Sequence, residues 1–244
     1  MKLLDLTLES PAENLALDEA LLDEAESSTA GAQWLRFWEP ATTMVVLGRA
    51  SRLDREVDLD RCQALQVPVL RRCSGGAAIV TGKGCLMYSL VLRIQDQPQL
   101  RIPDEAHRFV LQQVATALAP LGYPVEHQGT SDLAVGGHKF SGNSLRCKRN
   151  HILYHGTLLY DFPLQHISTL LQMPPRQPDY RQQRAHTDFV MNLEADADQL
   201  RQLLIKQWQP VQQSESWPRE RTRQLVDTRY SQAGWNNGPQ GRKN

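Results

Sequence analysis

A helix start is the clearest local pattern near the beginning of the chain. The segment SPAENLALDEALLDEAE opens with Ser10, a preferred N-cap residue, and continues with Pro11 at the first helical position. Glu13 stands three residues after Ser10 and completes a capping box. Apolar residues then recur near helical spacing, so one face of this predicted helix should pack on a core.

The hydrophobic pattern predicts the remaining elements. Further helices are expected at DREVDLDRCQALQ (54–66), DEAHRFVLQQVATALAPLG (104–122), LQHISTLLQM (164–173) and DADQLRQLLIKQWQPV (196–211). Strands are expected at LLDLTL (3–8), WLRFWEP (34–40), TMVVLGRA (43–50), VPVLRRC (67–73), AAIV (77–80) and CLMYSLVLRI (85–94), followed by short strands over 132–162 with a hairpin at Gly136-Gly137.

The order of these elements predicts the fold class. Strands and helices mix without a regular β-α-β alternation, and no repeat or low-complexity linker divides the chain. We therefore expect one α+β domain over residues 1–238, with a mixed or antiparallel sheet flanked by helices. The polar end AGWNNGPQGRKN (233–244) is expected to fray, and residues 239–244 are assigned to a tail outside the domain.

The charge balance narrows the function classes. The 244 residues include 27 Lys and Arg against 27 Asp and Glu. A general nucleic-acid or membrane-surface binder would need a net basic face, so neither partner is expected. A small anionic ligand held by a few local arginines remains compatible with this balance.

Cysteine usage and the N-terminus suggest a cytoplasmic setting. Cys62, Cys73, Cys85 and Cys147 lie far apart without a C-x-x-C pair, so neither a disulfide framework nor a zinc knuckle is indicated. The opening MKLLDLTLESPAEN carries acids in place of a long apolar core, so no signal peptide or transmembrane span is expected.

The glycine-rich stretch RRCSGGAAIVTGKG (71–84) raises the question of phosphate binding. A P-loop needs G-x-x-x-x-G-K-[ST], but Ala77 stands at the first glycine and Gly84 follows Lys83 in place of a hydroxyl residue. What remains is a predicted strand running into arginines and Ser74-Gly75-Gly76. Small residues let backbone N–H groups approach an anion, and arginine supplies a planar fork. Taken alone, the stretch is explained better by a bulge or hairpin with solvated arginines than by a ligand site.

Further motifs favour a ligand site at this stretch over a simple bulge. The chain carries ENLALDEALL (13–22), RRCSGG (71–76), GTSDLAVGGHKFSG (129–142), HGTLL (155–159) and LVDTRYSQAGWNNG (225–238). In this order they resemble the lipoate–protein ligase A family of the biotin/lipoate ligase superfamily, over nearly the whole chain. The resemblance implies the biotin/lipoate ligase-like, class II synthetase-like fold.

The resemblance also implies a reaction. Members of the family use ATP and Mg²⁺ to activate lipoate or octanoate as an acyl-adenylate. They pass the acyl group to a lysine of a small lipoyl-acceptor carrier domain, in some relatives with a separate accessory-domain chain. Lys139 corresponds to the lysine that stabilises charge in both half-reactions.

The resemblance assigns the other site residues. Those expected at the adenylate and its phosphate are Arg71, Ser74, Gly75, Gly76, Ala77, Asp132, Ser141 and Gly142. Those expected to shape the pocket are Cys85, His155, Gly156 and Thr157, with Leu17, Trp38 and Val46 as candidates for an acyl tunnel. Arg72 is given less weight, as a solvated strand end. No metal site is expected in the protein, because HILYH lacks the glutamate of H-E-x-x-H.

Departures from the family pattern keep alternatives open. Ala77 replaces a glycine, while Cys85 and Ser131 replace asparagines that could bond the nucleotide. An octanoyltransferase of the same fold would need a cysteine nucleophile, yet neither expected position holds one and Cys147 is interpreted as a bystander. A catalytically silent homologue that binds an acyl-carrying protein is a further alternative, and a biotin ligase ranks lower because its glycine motif is absent.

Overall fold

The computed structural model describes residues 1–28, 31–174 and 176–238. The strands, in chain order, are β1 Lys2–Asp5, β2 Trp34–Trp38, β3 Met44–Leu47, β4 Val69–Arg71, β5 Ile79–Thr81, β6 Cys85–Arg93, β7 Glu126–Gln128, β8 Asp132–Val135, β9 His138–Cys147, β10 His151–Leu159 and β11 Gln212–Gln213. The helices are α1 Pro11–Ser27, α2 Leu53–Glu56, α3 Leu59–Ala64, α4 Pro103–Leu118, α5 Gln165–Leu170, α6 His186–Phe189, α7 Ala197–Trp208, α8 Arg219–Leu225 and α9 Ala233–Asn237.

A large mixed sheet forms the centre of the described protein. Its strand order is β11-β1-β2-β6-β10-β9-β8-β7. The pairs of β1 with β11 and with β2 are parallel, and the pairs from β2 through β7 are antiparallel. The predicted α+β class with a mixed sheet is therefore confirmed.

A small second sheet carries the glycine-rich stretch. Its order is β4-β3-β5, with β3 parallel to β4 and antiparallel to β5. The predicted break at Glu39-Pro40-Ala41 thus separates strands that belong to different sheets. Because β4 ends at Arg71 and β5 begins at Ile79, the residues between them form a loop at one end of this sheet.

Helices cover both faces of the large sheet. Helices α4 and α7 pack together over one face, where Val110, Val114 and Leu204 join a core with sheet residues such as Phe37 and Leu90. Helix α1 covers the opposite face and contacts α8 and β10. Among the described helices, none has the length and apolar character required to cross a bilayer.

The predicted capping box of α1 is present. The side chain of Ser10 accepts a hydrogen bond from the backbone N–H of Glu13, and the Glu13 carboxylate accepts from the backbone N–H of Ser10. Local sequence therefore fixes where this helix begins, which sets the position of the buried polar residues that follow it.

Two expectations about local structure were wrong. Residues 54–66 form two short helices, because Val57 is extended and bridges Leu171, while Asp58 caps α3 by accepting from the backbone N–H of Arg61. The expected frayed end from residue 233 is helical through α9, since this helix packs on β4. Residues 239–244 lie outside the described residues, so the tail assignment and the boundary of the predicted 1–238 domain stay predictions.

A buried ion pair joins α1 to the large sheet. The Arg36 guanidinium on β2 lies 2.6 Å from an Asp18 carboxylate oxygen and also donates to the Asn14 and Leu6 carbonyls. Both charged side chains are buried. Burial opposes ionisation of Asp18, but Arg36 and His155 outweigh it and hold the pKa of this carboxyl below its ordinary value.

Replacing Arg36 with leucine should destabilise the fold severely. The substitution leaves the buried Asp18 carboxylate without its strongest partner, which costs about 3–5 kcal/mol of unfolding free energy. Urea denaturation followed by circular dichroism measures the loss. Arg108→Leu is the control, because Arg108 forms an exposed ion pair with Glu105 on α4. Equal losses in the two variants would contradict a structural role for the buried pair.

Candidate active site

A cavity of about 770 Å³ opens between the two sheets. Pockets for small molecules commonly measure about 300–1,000 Å³. One part of its wall is apolar, and the other part carries charged and polar groups from β8, β9, β10 and the loop between β4 and β5. Residues between 176 and 190 form another side. The apolar lining residues are Leu15, Trp38, Val46, Ile79, Val80, Met87, Leu159, Ile167, Leu171, Phe189 and Val190.

Lys139 is placed on this wall by an irregularity in the β8–β9 pair. Leu133 pairs with Ser141 and Ala134 pairs with Lys139, so the intervening Phe140 has no partner and forms a bulge. A Cβ added at Gly142 would lie 2.9 Å from Lys139 Nζ. The glycine therefore leaves the space that the lysine side chain occupies.

An acidic partner holds the Lys139 ammonium. Asp132 Oδ1 lies 2.6 Å from Lys139 Nζ, and Asp132 Oδ2 accepts a hydrogen bond of 2.8 Å from the Tyr180 hydroxyl. About a quarter of the Lys139 side chain is exposed, and Lys139 is one of the residues that line the cavity. The ammonium is thus oriented by a carboxylate while part of it remains available to a ligand.

Arg72, and not Arg71, reaches the cavity. The Arg72 guanidinium is buried and donates to the carbonyls of Val46, Gly75 and Ala77, which shapes the loop. Burial lowers its pKa to about 10, so it remains protonated at neutral pH. The expectation of a solvated strand end at Arg72 was wrong, because its guanidinium is buried among main-chain carbonyls that accept its hydrogen bonds.

Arg71 points away from the cavity. Its guanidinium donates to the carbonyls of Gly48, Ser51 and Trp235, and none of these three residues lines the cavity. The structure thus corrects the expected placement of Arg71 at the cavity, because Arg72 and not Arg71 is among the lining residues, and a contact of Arg72 with an adenylate stays a prediction. Burial lowers the pKa of Arg71.

A chain of hydrogen-bonded polar groups connects the loop to α1 and to the large sheet. His155 on β10 lies with Nε2 2.6 Å from Ser74 Oγ and Nδ1 3.3 Å from Asp18 Oδ2. A carboxylate only accepts, so in the neutral imidazole the proton sits on Nδ1 and Nε2 accepts from the Ser74 hydroxyl. Arg72 Nε donates to the same hydroxyl at 3.1 Å. The loop is tied in this way to both α1 and the large sheet.

The cavity brings together most of the predicted residues. Those that line it with Lys139 are Gly76, Ala77, Asp132, Ser141, Gly142, His155, Gly156 and Thr157, together with Trp38 and Val46. Their roles in binding stay predictions. Four further candidates are not among the lining residues: Ser74, Gly75, Cys85 and Leu17.

Each of these four has a different environment. Ser74 and Gly75 lie in the loop itself. The Gly75 carbonyl accepts hydrogen bonds from Ser144 Oγ and from Arg72, which hold the loop in place. Cys85 is fully buried in the core beside the small sheet, and Leu17 packs between α1 and the large sheet. The predicted pocket role of Cys85 and the predicted tunnel role of Leu17 are therefore corrected.

Sequence reasoning did not identify several cavity residues, among them Glu56 and Tyr180. Glu56 on α2 accepts from the backbone N–H of Ala78 at 2.7 Å and from Ser51 Oγ, and so holds the far end of the loop. Tyr180 reaches Asp132 from the segment 172–190. Neither lies in a motif, and only the fold brings them to the cavity.

The four cysteines lie outside the cavity lining, and the described residues form no three-ligand metal cluster. All four cysteines are free and lie in the described ranges, but none lines the cavity. Burial raises the pKa of the Cys62, Cys73 and Cys147 thiols and raises that of Cys85 to about 12, so none is activated as a thiolate. The described residues also contain no group of three His, Cys, Asp or Glu side chains suited to a metal ion.

Known proteins share this architecture. A lipoate–protein ligase from Thermoplasma acidophilum, described as bipartite and studied with its E2 lipoyl domain, superposes with a TM-score of 0.81 at 23% identity, covering 98% of this chain and 97% of its own. A lipoate–protein ligase A structure bound with ATP gives a TM-score of 0.74 at 26% identity, covering 98% and 99%. The expected fold is confirmed.

Sequence relatives give the same result. The probable lipoate–protein ligase A of Mycoplasma pneumoniae is 32% identical over 151 residues, which are 62% of this chain and 43% of the relative. The octanoyltransferase LipM of Carboxydothermus hydrogenoformans is 30% identical over 179 residues, 67% of this chain and 66% of the relative. The chain spans about half the length of the first lipoate-ligase relatives it matches. Since the family model for the lipoyl protein ligase A/B catalytic domain matches residues 10–215, the chain belongs to that family.

Proposed function

We propose that this protein is an ATP-dependent lipoate or octanoate protein ligase. In the first step a carboxylate oxygen of the acid attacks the α-phosphate of ATP, and pyrophosphate leaves. In the second step a lysine amine of a carrier domain attacks the acyl carbonyl of the adenylate. AMP leaves with the bonding electrons, and the amine loses its proton.

The observation that carries the proposal is the position of Lys139. Its ammonium lies 2.6 Å from Asp132, and both residues line a cavity that also has many apolar side chains in its wall. Negative charge develops on the phosphate and carbonyl oxygens in both steps, and a fixed cation beside them lowers both barriers. Arg72 adds a second charge, and the loop at Gly76 and Ala77 adds small residues that admit the phosphate.

The apolar part of the cavity suits the acyl chain. Trp38, Val46 and Met87 belong to a group of apolar side chains in the lining, which favours a fatty-type acid over a wholly polar one. The carboxyl end of such an acid would then lie toward Lys139. A structure of a relative from Thermoplasma acidophilum with bound lipoic acid supports this class of substrate.

Asp132 is the residue best suited to a magnesium ion accompanying ATP. A carboxylate has about four lone-pair sites, so the contacts with Lys139 and Tyr180 leave acceptor capacity. Mg²⁺ is commonly bound by one or two carboxylates together with substrate phosphates, which does not require a preformed protein cage. The ion would neutralise phosphate charge.

The partner we propose is a lipoyl-acceptor carrier domain. The Thermoplasma acidophilum relative was studied with its E2 lipoyl domain and is described as bipartite. A separate accessory-domain chain is therefore part of the proposal, and the acceptor reaction must be tested with and without one. A cytoplasmic location stays a prediction.

The alternative is a cysteine-dependent octanoyltransferase. The LipM relative favours it, because it matches two thirds of each chain. The positions of the four cysteines oppose it, since none lines the cavity and burial raises the thiol pKa of each.

Lys139→Gln should abolish most adenylate formation and acyl transfer. Loss of the fixed cation lowers kcat by about 10²–10³-fold, the usual effect of removing one transition-state donor. Pyrophosphate release and the mass gain of a carrier domain report the two steps. Lys83→Gln is the matched control, because Lys83 is an exposed lysine on a nearby turn. An undiminished rate in Lys139→Gln would overturn the assigned role of this lysine.

Cys147→Ser should leave transfer unchanged, and omitting ATP should stop it. Cys147 is exposed and lies outside the cavity lining, so its thiol has no part in the proposed chemistry. Mass spectrometry of the carrier after incubation with free octanoate and ATP, or with an octanoyl thioester alone, measures both effects. Transfer from the thioester without ATP that Cys147→Ser abolishes would favour the octanoyltransferase. Absence of both pyrophosphate and acylated carrier, with the accessory chain present, would favour a silent homologue.

A further inference from the structure

We propose that helix α9 and Gly238 position the glycine loop of the active site through Arg71. This C-terminal clamp, Ala233–Gly238 with Arg71, acts on the loop 72–78 without touching the cavity. Its effect on catalysis rests on the proposed function, whereas its effect on the loop does not. Arg71 and Asn236 are therefore positioning residues, which hold the loop in place and do not line the cavity.

Helix α9 holds the main chain of Arg71 from both sides. The Arg71 backbone N–H donates to Asn236 Oδ1 at 3.0 Å, and the Arg71 carbonyl accepts from Trp235 Nε1 at 2.9 Å. Arg71 is the last residue of β4, and the loop starts with the next residue. The end of the strand is therefore fixed by a helix that follows it by more than 160 residues in sequence.

The Arg71 guanidinium connects α9 to the residues under the loop. It donates to the carbonyls of Trp235 and Asn236 on one side and to those of Gly48 and Ser51 on the other. A buried guanidinium needs acceptors for its donors, because an unmet hydrogen bond in the interior is costly. Arg71 is almost fully buried, so these carbonyls and the guanidinium hold each other in place.

The residues under the loop hold it directly. The backbone N–H of Arg49 donates to the Ser74 carbonyl at 2.7 Å, and Ser51 Oγ donates to the Gly76 carbonyl at 3.0 Å. The contact is so close that a Cβ at Gly48 would lie 1.8 Å from the Gly76 oxygen. A displacement of Gly48 to Ser51 must therefore move Gly76, which lines the cavity.

Helix α9 is itself anchored on α1. The Tyr230 hydroxyl donates to Glu19 at 2.7 Å, and Asn236 Nδ2 donates to the Tyr230 carbonyl. The Arg229 guanidinium lies over the Trp235 ring, 4.9 Å from its centroid. The family model ends at residue 215, so the C-terminal part of the clamp, Ala233–Gly238, lies beyond the matched region and acts on a motif inside it.

Asn236→Ala should loosen the loop, and Asn237→Ala is the matched control. The first substitution removes the acceptor for the Arg71 backbone N–H, whereas Asn237 is an exposed asparagine on the same helix. Hydrogen exchange of residues 72–78 should be several-fold faster in Asn236→Ala alone. With ATP and octanoate, the KM for ATP should rise about tenfold or more while kcat changes less, because a misplaced loop binds phosphate poorly.

A second pair of variants adds a methyl group at a position where it would clash with the clamp and at a position where it would not. A Cβ at Gly238 would lie 2.2 Å from the Arg71 guanidinium, and its φ of +68° disfavours other residues. A Cβ at Gly234, on α9, meets nothing within 4 Å. Gly238→Ala should therefore reproduce the Asn236→Ala phenotype, and Gly234→Ala should resemble wild type. Melting temperatures of all four variants identify any general loss of fold.

The outcomes separate the clamp from the proposed function. Faster exchange at 72–78 in Asn236→Ala and Gly238→Ala, with their controls unchanged, supports the clamp even if wild-type protein makes no adenylate. Exchange rates equal to wild type in both variants overturn it, whatever the activity. Equal effects in Asn236→Ala and Asn237→Ala also overturn it, because a contact of Arg71 would then not be the cause.

Discussion

The buried carboxylate of Asp18 is the constraint on which the site depends. It lies between Arg36 on β2 and His155 on β10, and Ser74 extends the chain of contacts to the glycine loop. A charge removed from water is tolerated only when its partners are fixed. Helix α1, the large sheet and the loop must therefore adopt one relative arrangement for Asp18 to be satisfied, and that arrangement also creates the cavity.

Two ion pairs near the cavity differ in burial. Arg36 and Asp18 are paired and buried, so they are structural, while Lys139 and Asp132 are paired but partly exposed. A partly exposed ammonium can exchange its carboxylate contact for a ligand without leaving a bare charge in the interior. The site thus combines a buried, fixed ion pair with a lysine ammonium that can contact a ligand.

Two adjacent arginines at the end of β4 serve both purposes. Arg71, the last residue of the strand, holds α9 and the carbonyls behind the loop, while Arg72, the first loop residue, shapes the loop at the cavity. Loop and C-terminal helix are in this way joined at adjacent residues. The active-site motif and the end of the described chain are parts of one structural unit.

The sequence by itself determined the short-range features and the family. The capping box of α1, the long helix at α4 and the paired strands β9 and β10 depend on residues close together in the chain, and the ordered motifs identified Lys139, Asp132 and His155 as a group. Tertiary structure alone decided which arginine faces the cavity, that Tyr180 meets Asp132, and that α9 is ordered against Arg71. The physical reason is that those features depend on contacts between segments up to about 165 residues apart, and strand parity or helical spacing carries no information about such contacts.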